Sequence, residues 1–272
     1  MEKFIQNHHI YSYECDKEGK LRLLTLFNLL QHMADSHADL LNLGYKNFST
    51  RNITWVGSHY ALHINKRPKW NENVIIETWP SGLGPVSAIR DFRVLSPKNE
   101  PLFTASSQWV IIDLSSGRPQ PTKKYVNNLE SLEERALDTK FPTIPTVQRQ
   151  DFQKDFYVRY DDIDINQHVN NAIYPVWASE SVPNDFRESN EIEDLEISFK
   201  KPAFYGQKIK VSTQIDENTS LHQIFSDDKS IEFARIRIKW RKKVKKIQNT
   251  RNNILHYYIF YCIYTLSYIQ KE

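Results

Sequence analysis

The sequence predicts an α+β fold made of two similar halves, each an antiparallel sheet packed against a helix. Three observations predict it: one long stretch with helical apolar spacing, two successive runs of short strands, and a sequence match between those runs. The helix comes first. Residues Leu21 to Leu43 (LRLLTLFNLLQHMADSHADLLNL) repeat apolar side chains every three or four positions and run up to Gly44, a natural helix stop. Four segments that alternate or run apolar follow: Trp55 to Ile64, Val74 to Trp79, Ser87 to Leu95 and Leu102 to Asp113. Turn-forming stretches (RPKWNEN, PSGLGP, SPKNEP) separate them, which predicts an antiparallel meander.

From Pro119 to Lys154 the periodicity is lost, and Pro119, Pro121, Pro142 and Pro145 gather in charged surroundings, as in a linker. The order then repeats: a strand at Phe152 to Tyr160, a short helix around Ala172 to Ser181, and strands near Leu195 to Lys201, Gln207 to Ile215, Leu221 to Phe225 and Ile231 to Lys239. HINKRPKWNENVII matches SFKKPAFYGQKIKV at a constant offset that sets Lys66 on Lys200, Pro68 on Pro202 and Ile75 on Ile209. Such a match implies duplication. Two sheets of this kind can join edge to edge and bury both helices in one body. The expected layout is a first half at 1–135, a linker at 136–150, a second half at 151–243 and an atypical tail at 244–272.

Composition narrows the function. Seven glycines among 272 residues fall well below the roughly 7% of average proteins, and no GxGxxG, GxxxxGK or GxSxG spacing occurs. Two cysteines, Cys15 and Cys262, make no disulfide framework, and the polar N-terminus is no signal peptide, so a cytoplasmic, reducing compartment is expected. The net charge of +3 comes from the tail: Arg241 onward holds seven basic residues and one acid, which leaves the chain before it with an excess of acids. A broad basic face for nucleic acid is therefore not expected. The apolar stretch Ile254 to Ile269 is short for a bilayer span. No stable membrane span is expected, and the chain beyond Lys243 is expected to be dispensable.

The densest polar cluster is YDDIDINQHVNNAIYPVWASESVP, Tyr160 to Pro183, joining the first strand of the second half to its helix. Asp164, Asn166 and His168 alternate there, so an extended backbone would put them on one side and Ile163, Ile165 and Val169 on the other. An imidazole that moves protons near neutral pH, a carboxylate that orients it or acts on water, and an amide that donates to an oxyanion fit a hydrolytic site. The same residue types are equally well read as turn and cap formers. No HExxH, Cys pair or helical second ligand accompanies His8, His9 or His168, so no metal is expected. Ser181 and Cys15 have no neighbouring base, and Pro175 fits the first turn of a helix.

The run DIDINQHVNNAIYPVWASESVP resembles the signature of acyl-acyl-carrier-protein thioesterases, D-x-D-x-N-x-H-V-N-N-x-x-Y-x-x-W-x-x-E-x-x-P, and Trp55 to Val94 resembles the family's first-half pattern. The resemblance covers about Tyr11 to Trp240. It implies a tandem hotdog fold, each half a long helix wrapped by an antiparallel sheet, that hydrolyses the thioester linking a fatty acyl chain to acyl carrier protein, with no cofactor. It also implies that Asp164, Asn166 and His168 are active-site residues, supported by Asn170, Asn171 and Glu180. Plant members carry a Glu-Cys pair after the strand matched by Leu195 to Lys201; here Pro202-Ala203 follows, so a water nucleophile is expected. Placing Asp16 on Asp161 puts Gly19, Leu21 and Leu23 opposite the catalytic set, so one active site per chain is expected. The first half then supplies the acyl pocket, around Met33 and the strand after Trp55. An acyl-CoA thioesterase and a non-enzymatic acyl-thioester binding protein are the rival readings, and a homodimer stays open.

Overall fold

The computed structural model describes residues 2–126 and 129–244. Residues Met1–Arg241 form one compact unit; Lys242–Glu272 form another, of which only residues 242–244 are described, so the apolar stretch Ile254 to Ile269 lies outside the described residues. The first half contains β1 (Phe4–His9), α1 (Leu23–Leu40), α2 (Tyr45–Ser49), β2 (Ile53–Ile64), β3 (Asn73–Leu83), β4 (Ser87–Leu95), β5 (Pro101–Asp113) and α3 (Thr122–Tyr125). The second contains β6 (Phe152–Tyr157), α4 (Ile173–Glu180), α5 (Asn184–Ser189), β7 (Asn190–Phe199), β8 (Lys208–Asp216), β9 (Thr219–Ser226) and β10 (Glu232–Lys242). Among the described residues no helix is long and apolar enough to cross a membrane.

The ten strands among the described residues make one sheet in the order β1-β3-β4-β5-β2-β7-β10-β9-β8-β6. Read outward from the middle, the two halves repeat one strand order, β2-β5-β4-β3-β1 and β7-β10-β9-β8-β6, and the seam is an antiparallel pairing of β2 with β7 from His59↔Ser198 to His63↔Asp194. Closing the two central edges on each other removes two rows of unpaired backbone groups. This is the tandem hotdog that the family resemblance implies.

On one face lie α1 and α4. Helix α1 buries Leu26, Phe27, Leu30, Met33, Ala34 and His37, the stripe that three- and four-residue spacing produces, and α4 buries Tyr174, Trp177 and Ala178 in the same core. Leu26, Leu30 and Met33 are wholly buried, worth roughly 2–3 kcal/mol each. Helix α1 stops at Leu40, short of the expected Leu43, because Asn42 turns left-handed at φ 57°. At Gly44 a Cβ would push the Asp39 carboxylate aside. The second-half helix has eight residues against eighteen in α1.

The segment expected to be a linker is pinned across the opposite face. The Trp79 indole N–H donates to Glu134 O at 2.8 Å, and Arg135 Nε and Ala136 N donate to the buried Asp91 carboxylate at 2.9 and 2.8 Å. Farther along, Val147 N donates to Gln223 Oε1 at 2.9 Å and Gln148 N to Gln214 Oε1 at 2.9 Å. These bonds satisfy sheet side chains that would otherwise be orphaned.

Candidate active site

The candidate turn starts after β6 at a single helical turn, Tyr160–Asp162, whose last carboxylate accepts Arg159 N at 2.9 Å. Backbone then closes on itself: Asp164 N donates to His168 O at 3.0 Å, Gln167 N donates to Asp164 O at 3.0 Å, and Gln167 takes the left-handed φ of 65°. Ile163 and Val169 bridge below it. The segment is thus a tight loop and not the extended run expected from alternation. Ile163 and Val169 do pack inward, but Ile165 is 75% exposed at the loop's tip, correcting its expected inward placement.

Inside the loop, Asp164 Oδ1 accepts Asn166 N at 2.8 Å, and Asn166 Nδ2 lies 3.5 Å from Asp164 Oδ2. His168 Nδ1 is 3.9 Å from Asp164 Oδ1 and 3.5 Å from Val169 O. The Asp164 side chain is largely enclosed while His168 is a third exposed. Asp164, Asn166 and His168 are therefore brought together, by the closed loop and not by an extended backbone.

The supporting residues divide. Asn170 braces the turn before α4 by accepting Ala172 N at 2.9 Å, and its amide reaches Asn28 of α1 at 3.5 Å. Asn171 spans the seam: its Nδ2 would lie 3.3 Å from a Cβ on Gly57, beside the β-bulge between Gly57 and His59. Glu180 ends α4, with its carboxylate 3.7 Å from Lys154 Nζ and no contact to the loop among the described residues. Pro175 occupies the third helical position, where its missing N–H costs nothing. After β7, where a Glu-Cys pair is absent, Ala203 N donates to the buried Tyr174 hydroxyl at 3.0 Å, and burial pushes that phenol up to about 12.

The first half holds a cleft of about 520 Å³ with its open mouth included, lined by Ala34, Asp35, Ala38, Trp55, Ala88, Arg90 and Trp109 among others; Trp109 meets Asn171, just after the loop, at Gly57. Trp55 lines this cleft, whereas Met33 is wholly buried in the core and the next residue, Ala34, lines the cleft. Sequence reasoning missed Asp35 and Arg90. Asp35 is solvent-accessible, yet enclosure by the cleft raises its carboxyl to about 6; Asp39 and Asp164 push the same way and Arg90 opposes them. Burial lowers Arg90 to about 10, still charged near neutrality, and lowers His37 to about 4, with Arg90 adding to the effect. The available signal was the run Ala34-Asp35-Ser36 with Ala38, small residues on a helix otherwise filled with leucine. No cluster of three or more metal-ligating side chains occurs among the described residues.

The first half holds a copy of the loop in another register than expected. Asp16 N donates to Lys20 O, Gly19 N donates to Asp16 O, Gly19 is left-handed, and Cys15 bridges Leu21, each bond matching one around Asp164, Gln167 and His168. Asp16 therefore falls on Asp164 and not on Asp161, Glu18 on Asn166, and Lys20 on His168. These groups are held in ion pairs: Asp16 with Arg67 at 2.6 Å, Lys20 with Glu18 at 3.0 Å and with Glu191 at 3.3 Å. No imidazole stands in this copy.

Comparison with known proteins bears on both halves. The family model for the acyl-ACP thioesterase N-terminal domain matches residues 1–128, and that for the acyl-ACP thioesterase C-terminal domain matches residues 146–242. Among curated relatives, the chloroplastic palmitoyl-acyl carrier protein thioesterase of Gossypium hirsutum is 27% identical over 267 residues, 89% of this chain and 65% of that protein. The chloroplastic acyl-[acyl-carrier-protein] hydrolase FATB2 of Cuphea viscosissima is 25% identical over 261 residues, 88% of this chain and 63% of that protein. This chain thus spans a little under two thirds of the length of these relatives. Among solved structures, an acyl-ACP thioesterase from Bacteroides thetaiotaomicron has a TM-score of 0.81 at 21% identity, covering 88% of this chain and 98% of that one. The 12:0-ACP thioesterase from Umbellularia californica has a TM-score of 0.78 at 22% identity, covering 89% of this chain and 98% of that one, a likeness of fold. Because the two matched models belong together and cover both halves, the chain belongs to the acyl-ACP thioesterase family.

Proposed function

We propose that this protein hydrolyses the thioester of fatty acyl-acyl-carrier-protein to free fatty acid and carrier thiol, in the cytoplasm and with no cofactor. The observation that carries the reading is the single loop gathering Asp164, Asn166 and His168 beside a cleft in the other half. His168, oriented by Asp164 on its Nδ1 side, takes a proton at Nε2 from a water that attacks the thioester carbonyl carbon. Asn166 Nδ2 donates to the oxyanion. As the carbon–sulfur bond breaks, the imidazolium returns the proton to the departing thiolate. A thioester is an activated acyl donor, so a positioned water suffices without a cysteine nucleophile. The acyl chain lies in the first-half cleft against Trp55 and Trp109.

The test is hydrolysis of acyl chains on carrier protein and on coenzyme A by purified His168→Ala and Asn166→Ala. Each variant loses on the order of a hundredfold or more in turnover at an unchanged melting temperature, and carrier protein is the better donor. Near-full activity in His168→Ala overturns the assignment, and faster turnover on coenzyme A transfers it to an acyl-CoA thioesterase.

A further inference from the structure

The cleft is not a plain apolar tunnel, and its two charged groups are incompletely satisfied. Arg90 rises from β4 into the space under α1, where its Nη1 donates to His37 Nδ1 at 3.0 Å and to Thr78 Oγ1 at 3.2 Å. His37 accepts, so it is neutral with its proton on Nε2, in keeping with its lowered pKa. Arg90 Nε and Nη2 have no protein acceptor among the described residues. Asp35 enters from α1 between Ala34 and Ala38, and its carboxylate makes no hydrogen bond or ion pair within 4 Å among the described residues, Arg90 included.

A saturated chain lying in this cleft would take water from both groups and give them nothing in return. A ketone could accept from Arg90 but leaves Asp35 unmatched, and a carboxylate meets Asp35 as a like charge. A hydroxyl does both tasks, donating to Asp35 and accepting from Arg90. Trp109 of the cleft and Asn171, just after the loop, meet at Gly57, 3.6 and 3.3 Å from where its Cβ would stand, which sets the pair near the reacting end of the chain.

On the reading that this site hydrolyses acyl thioesters, we propose that its preferred acyl chain carries a hydroxyl near the thioester, recognised by Asp35 and Arg90 as a specificity-determining pair. The pair touches the chain and takes no part in bond breaking.

The experiment compares kcat/KM for decanoyl, 3-hydroxydecanoyl and 10-hydroxydecanoyl carrier protein in the wild type and in Asp35→Leu. The wild type should prefer the 3-hydroxy chain over decanoyl by about tenfold or more, and Asp35→Leu should bring that ratio to about one or below by losing the hydroxy substrate and gaining the saturated one. A wild-type ratio near one, a ratio unchanged in Asp35→Leu, or a preference for the 10-hydroxy chain alone overturns the proposal. Should no thioester be hydrolysed at all, the thioesterase reading fails by itself. Calorimetric binding of 3-hydroxydecanoic against decanoic acid to the same two proteins then decides the pair separately. Asp35→Asn, nearly isosteric, keeps a partial preference if the group acts by hydrogen bonding, and its melting temperature controls for folding.

Discussion

Replacing His222 by glutamine measures how strongly the packing beneath α4 excludes charge. The ring is 1% exposed. Its Nε2 lies 2.7 Å from Ser220 Oγ, which accepts the Trp240 indole N–H at 2.8 Å, and its Nδ1 lies 3.0 Å from Thr213 Oγ1 and 3.1 Å from Ser181 Oγ. No carboxylate faces it, and burial alone lowers its pKa from 6.5 to about 3. For a base depressed in the folded state, the unfolded chain takes up the proton first. The folded protein therefore holds its full advantage above pH 6.5 and loses stability as pH falls from 6.5 toward 3, by about 1.4 kcal/mol per unit. At about pH 4.5 the loss from this one ring approaches about 3 kcal/mol. His37, lowered to about 4, adds in the same direction, and Asp35, raised to about 6, partly offsets by binding its proton first in the folded state. Both are present in wild type and variant alike, so their difference isolates His222. Urea unfolding across pH 7.5 to 4.5 is the assay. The variant starts less stable, and the gap to wild type narrows by about 3 kcal/mol at the acid end. Parallel curves for the two proteins would refute a buried neutral imidazole.

Arg135→Ala leaves the Asp91 carboxylate buried with only Ser106 and Ala136 as donors, and should lower unfolding free energy by about 2–3 kcal/mol in urea melts. A loss under 0.5 kcal/mol would mean that the crossing segment is not anchored there. Ala38→Phe fills the cleft and should shorten the longest acyl chain accepted while sparing the rate on short ones; an unchanged chain-length profile removes the cleft as the acyl site.

Most of the sheet was legible because central strands advertise themselves: β4 begins and ends at the residues that its turn signals marked, and Ile209, Val211, Ile236 and Ile238 alternate inward as a half-buried strand requires. Strand β1 was not. FIQNHH pairs only with β3, leaves Ile5 half exposed and needs no apolar rhythm at a sheet edge. The cluster of Asp164, Asn166 and His168 was visible as composition, but its loop was not, because a left-handed glutamine at 167 has no reliable sequence signature and an exposed isoleucine reads as inward. Register in the duplicated loop failed for a related reason. Asp161, Asp162 and Asp164 are interchangeable by type, and only backbone bonding shows which of them matches Asp16. Asp35 and Arg90 escaped because neither is near the motif in sequence, nor near the other; topology alone brings them to one cleft.

The loop around Asp16 gives the protein an internal standard for separating architecture from chemistry. In both copies the first aspartate accepts the amide two residues on, 2.9 Å from Glu18 N and 2.8 Å from Asn166 N, although only one copy carries an imidazole. The carboxylate thus belongs to the scaffold of the duplicated unit, and the amide and imidazole are what one copy adds to it. Any effect of altering Asp164 is consequently a mixture of a loosened loop and a lost charge. Altering Asp16 loosens the matching loop and breaks its ion pair with Arg67 where no imidazole stands, so each molecule carries beside the candidate loop a copy in which the structural share can be read apart from any lost chemistry.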